Sequence, residues 1–183
     1  MNLAEYEKRV GCILEGLGIP DAAVRERSLV LQAEVQDLIS VGMDSRGRDQ
    51  RLTPCAAGAW KGMQRAALAD GVELQLVSAF RSVDYQREIW LRKLAAGQTV
   101  AQILSVNAPP GYSEHHTGRA VDITEPGIEP LTEAFEGTQA FGWLRSKAEA
   151  FGFGLSFPRG NRFGFVYEPW HWAHSGALPD RSD

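Results

Sequence analysis

Ser113-Glu114-His115-His116-Thr117-Gly118-Arg119-Ala120-Val121-Asp122, followed some fifty residues later by Glu168-Pro169-Trp170-His171-Trp172, sets the terms on which the rest of the chain has to fold. Zinc that acts as a catalyst wants three protein ligands drawn from His, Asp/Glu and Cys, and one position open to water. His115, Asp122 and His171 supply three such ligands. A separate carboxylate must take the proton from water as it attacks, and Glu168 stands three residues before the last candidate ligand.

Asp122 lies seven positions after His115, too far for adjacent turns of one helix. A loop running into a strand can still bring the two side chains to one point. Gly118 between them suits a tight turn, and Ala120 leaves room beside a metal. Pro169 disfavours a central strand or helix interior, so Glu168 and His171 are expected at a strand end or turn. The oxyanion formed when water attacks a carbonyl needs a positive partner. Arg81, at the end of an upstream strand, is the candidate, with a surface ion pair as the open alternative.

An isolated histidine is ordinarily a hydrogen-bonded structural residue, and His116 and His174 are assigned that role. Trp170 and Trp172 alternate with His171, so on a strand they face the core. Glu125 and Glu129 are read as a solvated loop rather than a second metal site. HExxH, GxSxG and GxxxxGK[ST] are all absent, so the chain lacks the signatures of thermolysin-like peptidases, serine hydrolases and P-loop enzymes.

Outward from these segments, a helix is expected from Leu3 to Leu14, stopped by Gly16, Gly18 and Pro20, with Asp21 capping a second one. Residues 35–41 are ambiguous between helix and strand, and Asp44-Ser45-Arg46-Gly47 is a turn or exposed loop. Thr53-Pro54 predicts a helix start, the threonine oxygen capping free amides, with the helix running to Asp70-Gly71 and Trp60, Met63 and Ala67 inward. Residues 73–80 read as a strand and Ser82 caps a helix that ends at Gly97. A short helix over 100–106, a loop over 107–111 and a strand over 119–123 follow. A helix over 138–151 and three strands over 153–157, 163–167 and 170–173 complete the pattern. Helices first and strands mostly later point to an α+β fold with an antiparallel sheet.

At 183 residues the length favours one domain spanning 1–183, with an accessory front section over 1–52 and a zinc-bearing core over 53–176. Hydrophobic residues make up 44% and charged residues 23%, ordinary for a globular protein. The formal net charge of −4 lacks the basic excess needed to neutralise many phosphates, so nucleic acid is not expected as a partner. No run of about 18 apolar residues is present to cross a bilayer. Met1 is followed by charges where an export signal has its apolar stretch. A cytoplasmic location is therefore expected, or an extracytoplasmic one if a leader has been removed. Cys12 and Cys55 fit no ligand spacing and are expected as buried or half-buried thiols. The sequence carries no indication of oligomeric state.

These residues resemble the VanY-type D-alanyl-D-alanine carboxypeptidases, in the group of zinc peptidases that includes lysostaphin and the hedgehog amino-terminal domain. That family's Ser-x-His-x-x-Gly-x-Ala-x-Asp pattern is matched by Ser113 to Asp122, and its Glu-Pro-Trp-His by Glu168 to His171. A preceding Ser-x-Phe/Tyr-Arg-Ser-x-x-x-Gln block is matched by Ser78-Ala79-Phe80-Arg81-Ser82 and Gln86. The resemblance covers about residues 54–174. It implies a hedgehog/D-Ala-D-Ala peptidase-like fold, with helices packed around an antiparallel sheet that carries the metal.

The same resemblance implies one Zn2+ per chain held by His115, Asp122 and His171, Glu168 as catalytic base and Arg81 as carbonyl or oxyanion stabiliser. Gln86 and Ser113 become candidates for substrate binding. The implied activity is removal of a carboxy-terminal D-alanine from peptidoglycan stem peptides or muropeptides, at a D,D or an L,D bond, in a bacterium. Two other readings use the same residues. One is a non-catalytic zinc-containing module that holds such peptides or a protein partner, against which the intact Glu168 and Arg81 argue. The other is an endopeptidase that cuts cell-wall cross-links.

Overall fold

A computed structural model of the protein describes residues 2–44 and 46–176. Helix α1 (Leu3–Gly16) begins with a capping box, Asn2 accepting from the Glu5 amide while the Glu5 carboxylate accepts from the Asn2 amide. Helix α2 (Asp21–Glu26) starts after Pro20 without the Asp21 cap expected from the sequence. An antiparallel hairpin of β1 (Ile39–Met43) and β2 (Asp49–Leu52) follows. Its turn is tied by the Asp44 carboxylate, which accepts from the Arg46 and Arg48 amides; Ser45 of the expected turn lies outside the described residues.

Helix α3 (Pro54–Ala69) opens on Pro54 at its first position, and here Thr53 makes no side-chain cap. Ala56, Trp60, Met63 and Ala67, spaced at helical intervals, are fully buried. After β3 (Gln75–Ser78), Ser82 caps α4 (Val83–Ala95) by accepting from the Tyr85 amide. Helix α5 (Val100–Val106) carries a second capping box, through Thr99 and Gln102.

The remaining elements are β4 (Ala120–Thr124), α6 (Gln139–Lys147), β5 (Phe153–Leu155) and β6 (His171–His174). Strands β3, β4, β6 and β5 form one sheet in that order, every pair antiparallel. The α+β expectation therefore holds. Among the described residues no helix is long and apolar enough to cross a membrane.

Two apolar clusters hold these layers together. The first joins α3 and α6 to one face of the sheet through Val121, Ile123, Trp172 and Phe153. The second joins Tyr6, Val10 and Leu14 of α1 and Val24 of α2 to Val83, Trp90, Ile103 and Leu104 of α4 and α5. The front section thus shares a core with helices of the 53–176 region. Cross-links run further: the amides of Gln32, Val35 and Thr53 donate to the carbonyls of Gly111, His116 and Gly118.

Two further local expectations are corrected. Residues 163–167 do not form a strand. Gly164 has φ +68°, and the Asn161 side chain accepts from the Phe163 and Phe165 amides and donates to the Phe165 carbonyl, which diverts that backbone from a ladder. Cys12 and Cys55 are both exposed, because they fall on the outward sides of α1 and α3. Trp172 is buried in the core and Trp170, half-buried, packs against the same cluster while also lining the cleft described below, as expected of both.

Gly118 has φ +60°, and a Cβ there would lie 2.7 Å from Leu38 Cδ2 and 3.1 Å from Val35 Cγ2. Gly118→Ala is expected to lower stability by roughly 1–3 kcal/mol from the left-handed backbone and the crowding together. An unchanged denaturation midpoint would remove this requirement for glycine.

Candidate active site

The face of the sheet turned away from the α3 core carries the chemistry. Along β4, Val121 and Ile123 point into that core, so Asp122 points to the other side. Along β6, Trp172 points in and His171 out. The registers then do the assembly: Asp122 pairs with His171 across β4–β6 and with Ser78 across β3–β4. His115 arrives from the 3-10 turn Glu114–Thr117, which the left-handed Gly118 ends just before β4.

The segment after β3 is stitched to this turn. The Arg81 amide donates to the His115 carbonyl at 3.2 Å. His116 Nδ1 meets the Arg81 carbonyl at 2.6 Å and its Nε2 accepts from the Gly111 amide at 3.1 Å. Both nitrogens of His116 are therefore used on backbone, and burial pushes the ring's pKa down to about 4, so it is neutral.

His115, Asp122 and His171 are 1, 4 and 3% exposed, and one ligand atom from each lies within 4.8 Å of the others. Hydrogen bonding decides which nitrogens face inward. His115 Nδ1 sits 2.5 Å from the Ala79 carbonyl, which can only accept, so Nδ1 carries the hydrogen and Nε2 keeps its lone pair. That Nε2 is buried without a hydrogen-bond partner, 3.3 Å from Asp122 Oδ2. Burial, helped by Arg81, pushes the His115 pKa down to about 4, which keeps the lone pair available.

His171 Nε2 lies 2.9 Å from Glu114 Oε2, leaving Nδ1 to face Asp122 Oδ1 at 3.0 Å. A buried lone pair facing carboxylate oxygens calls for a cation between them. The residues present therefore fit a small divalent metal, with His115 Nε2, an Asp122 oxygen and His171 Nδ1 as donors.

The electrostatic environment of these side chains points the same way. Burial alone would raise the Asp122 pKa, yet His115 and His171 hold it far below the usual carboxylate range. Burial would lower the His171 pKa, but Asp122 and Glu114 push it up to about 10, so the two carboxylates favour positive charge at this position. Glu168, 8% exposed, is pushed up to about 7, chiefly by burial. It stands on the turn before β6, its carbonyl accepting from the His171 amide.

Arg81 reaches the same space, with Nη2 3.7 Å from Asp122 Oδ2 and Nη1 3.2 Å from Gln86 Oε1. Gln86 is 1% exposed and donates its Nε2 to the Ala108 carbonyl, so both its ends are engaged and it holds the guanidinium in place. Ser113, 3% exposed, lines the cleft beside Glu114 and His115. All seven residues picked out from the sequence thus converge on one cleft. A larger cavity of about 490 Å³, lined by Leu144, Arg145, Glu149 and Trp172, contains none of them.

One participant was not legible in the sequence. Glu114 sits inside the first segment, but its contact with His171 spans 57 positions and follows no local spacing. Burial would raise its pKa, and the bond to His171 lowers it below the usual value, so it is an anion. It places a carboxylate behind His171, the arrangement that would fix the tautomer of a metal-ligating histidine. Glu114→Ala is expected to weaken metal affinity by about 10- to 100-fold, measured by competition with a chromophoric chelator. Unchanged affinity would contradict that role.

Residues 49–177 match the VanY family, described as D-alanyl-D-alanine carboxypeptidase. YodJ of Bacillus subtilis (strain 168) is 38% identical over 126 residues, 66% of this chain and 45% of that protein. The chain thus spans less than half the length of the curated relatives it matches. Among solved structures, the LdcB LD-carboxypeptidase superposes with a TM-score of 0.69 at 32% identity, over 78% of this chain and 70% of that one. A vancomycin-resistance D,D-pentapeptidase VanY mutant in complex with Zn(II) superposes with a TM-score of 0.62 at 30% identity, over 82% of this chain and 89% of that one.

Proposed function

The chain belongs to the VanY family of D-alanyl-D-alanine carboxypeptidases, and from that premise we propose that it is a zinc carboxypeptidase that removes a terminal D-alanine from peptidoglycan stem peptides. One observation carries the proposal: the partnerless Nε2 of His115, the Asp122 carboxylate and Nδ1 of His171 converge beside a buried glutamate and a buried arginine. One zinc ion per chain is proposed, held by those three donors. Bound there, zinc supplies a Lewis acid that makes a water molecule a nucleophile at neutral pH and polarises a carbonyl.

The protein's own groups do the rest. Glu168 takes the proton of the attacking water and delivers it to the departing amine. Its burial serves this, since a carboxylate with a raised pKa both accepts and returns a proton near neutrality. Arg81, oriented by Gln86, presents positive charge where the carbonyl oxygen gains negative charge. Ser113 lies on the cleft wall beside His115, where it can hydrogen-bond the peptide backbone. Glu114 keeps the third ligand in its binding tautomer.

The relatives include a D,D- and an L,D-enzyme, so the proposed bond is the terminal D-alanyl bond of a pentapeptide or of a tetrapeptide. The test is a mass-spectrometric comparison of penta- and tetrapeptide muropeptides before and after treatment with the zinc-loaded protein. Loss of one alanine from either supports the reading. Binding of both without cleavage would instead favour a zinc-containing binding module.

A further inference from the structure

The cleft has two lobes that meet at Arg81, Val106, Asn107 and Glu168. The smaller lobe holds Gln86, Ser113 and the two histidines. The larger, of about 210 Å³, is lined by Lys93, Leu131, Val166 and Trp170 together with Asp122 and Glu168. Asp122 and Glu168 account for one side of this lobe, whereas Lys93, Leu131, Val166 and Trp170 take no part in the metal site or the proton transfer.

Its make-up is amphipathic. Val106, Leu131 and Val166 are 36, 49 and 40% exposed, and they form an aliphatic wall open to solvent. Leu131 is held at φ +59°, a left-handed conformation that costs a leucine free energy and that surrounding structure must enforce. Against this wall stands Lys93, half-buried near the end of α4. A lysine in the last turn of a helix complements the helix dipole, which explains a solvated ammonium but not one that lines a cavity.

Lys93 makes no ion pair or side-chain hydrogen bond within the described residues. Burial pushes its pKa down, and the Glu168 charge works against that. Asn107, on the floor between the lobes, has its Oδ1 buried without a partner. Of the two cations that line this lobe, Arg81 faces Asp122 and Gln86 and is the one assigned above to the carbonyl oxygen. Lys93 is the cation with no such assignment, and it can meet a carboxylate brought by a ligand.

We propose that Lys93 binds a carboxylate of the peptide substrate, with Val106, Leu131 and Val166 packing against the short aliphatic group next to it. This inference rests on the carboxypeptidase reading above. Two groups of such a peptide offer the chemistry: the free carboxy terminus of the residue to be released, and a side-chain carboxylate further up the stem, as in a diamino diacid. Lys93 reaches from the helix surface, so its replacement leaves the core and the metal ligands untouched.

The experiment measures kcat and KM of the zinc-loaded full chain for wild type, Lys93→Met and Lys93→Arg. The substrates are a stem peptide as free acid, the same peptide as its terminal amide, and versions with a diamino diacid or lysine as third residue. Lys93→Met should raise KM by about 10- to 100-fold, with kcat within about threefold, the effect of losing one hydrogen bond to a charged group. Lys93→Arg should keep most of the affinity.

If the carboxy terminus is the partner, wild type binds the amide as poorly as Lys93→Met binds the acid, and the substitution costs the amide nothing more. If the partner is the side-chain carboxylate, the loss appears only with the diamino diacid. An unchanged KM on every peptide, or an equal loss with and without either carboxylate, overturns the assignment. Active wild type with unaltered Lys93→Met kinetics sinks this inference alone; wild type that releases alanine from no peptide takes the proposed function with it.

Discussion

Glu168→Ala leaves the zinc content of the protein unchanged and lowers alanine release by at least about 10²- to 10⁴-fold, the contribution expected of one positioned general base. The two halves of this result come from different parts of the geometry. Zinc is to be held by His115, Asp122 and His171, whose donor atoms lie within 4.8 Å of one another, and Glu168 is outside that group. Its carboxylate is nonetheless in the same cleft, 8% exposed, with a pKa pushed up to about 7 chiefly by burial. The loss should fall on kcat more than on KM, because proton transfer is made in the transition state rather than on binding. A variant that kept full activity would remove Glu168 from the mechanism, and one that lost zinc as well would make it a structural partner of the ligands.

Asp122→Ala carries the second large effect, and it falls on the metal itself. Asp122 is the hub of the site: Oδ1 faces His171 Nδ1 at 3.0 Å, while Oδ2 faces His115 Nε2 at 3.3 Å and Arg81 Nη2 at 3.7 Å. Its removal takes away one ligand and the anion that balances His171 and Arg81. Structural zinc sites bind with roughly 10–16 kcal/mol over four ligands, so one ligand is worth about 2.5–4 kcal/mol, or on the order of 10²- to 10³-fold in affinity. Zinc affinity measured by competition should drop by that amount, and activity at limiting zinc should vanish with it. Wild-type affinity in Asp122→Ala would mean that the metal is held elsewhere.

Much of this arrangement was legible because the chemistry is concentrated in short segments. A glycine between two candidate ligands, and a proline between a base and a ligand, constrain backbone where the side chains must meet, and Gly118 at φ +60° is such a turn. The α+β class followed from the order of helices and strands. What the chain could not announce was pairing at a distance. Register alone places Asp122 opposite His171, and nothing local specifies it. Glu114 was assigned no role from the sequence, because its partner, His171, lies 57 positions away.

Local pattern also misled where polar side chains compete with the ladder. Phe163 to Tyr167 has strand composition, but Asn161 claims its amides. The β1–β2 hairpin was missed for the converse reason: Asp49-Gln50-Arg51 is polar, and Gln50 is buried by serving the Ala79 amide and the Asp44 carboxylate rather than by packing. The front section, which carries none of the motifs, nevertheless supplies Val35 and Leu38 against the Gly118 turn.

The most direct test of the central claim is a zinc titration of the chelator-stripped protein, with release of free D-alanine from a stem peptide as the readout. Release should be absent without metal, rise with added zinc and saturate at one ion per chain. Release that persists after the metal has been removed, or its absence with one zinc bound and the peptide in place, would contradict the account.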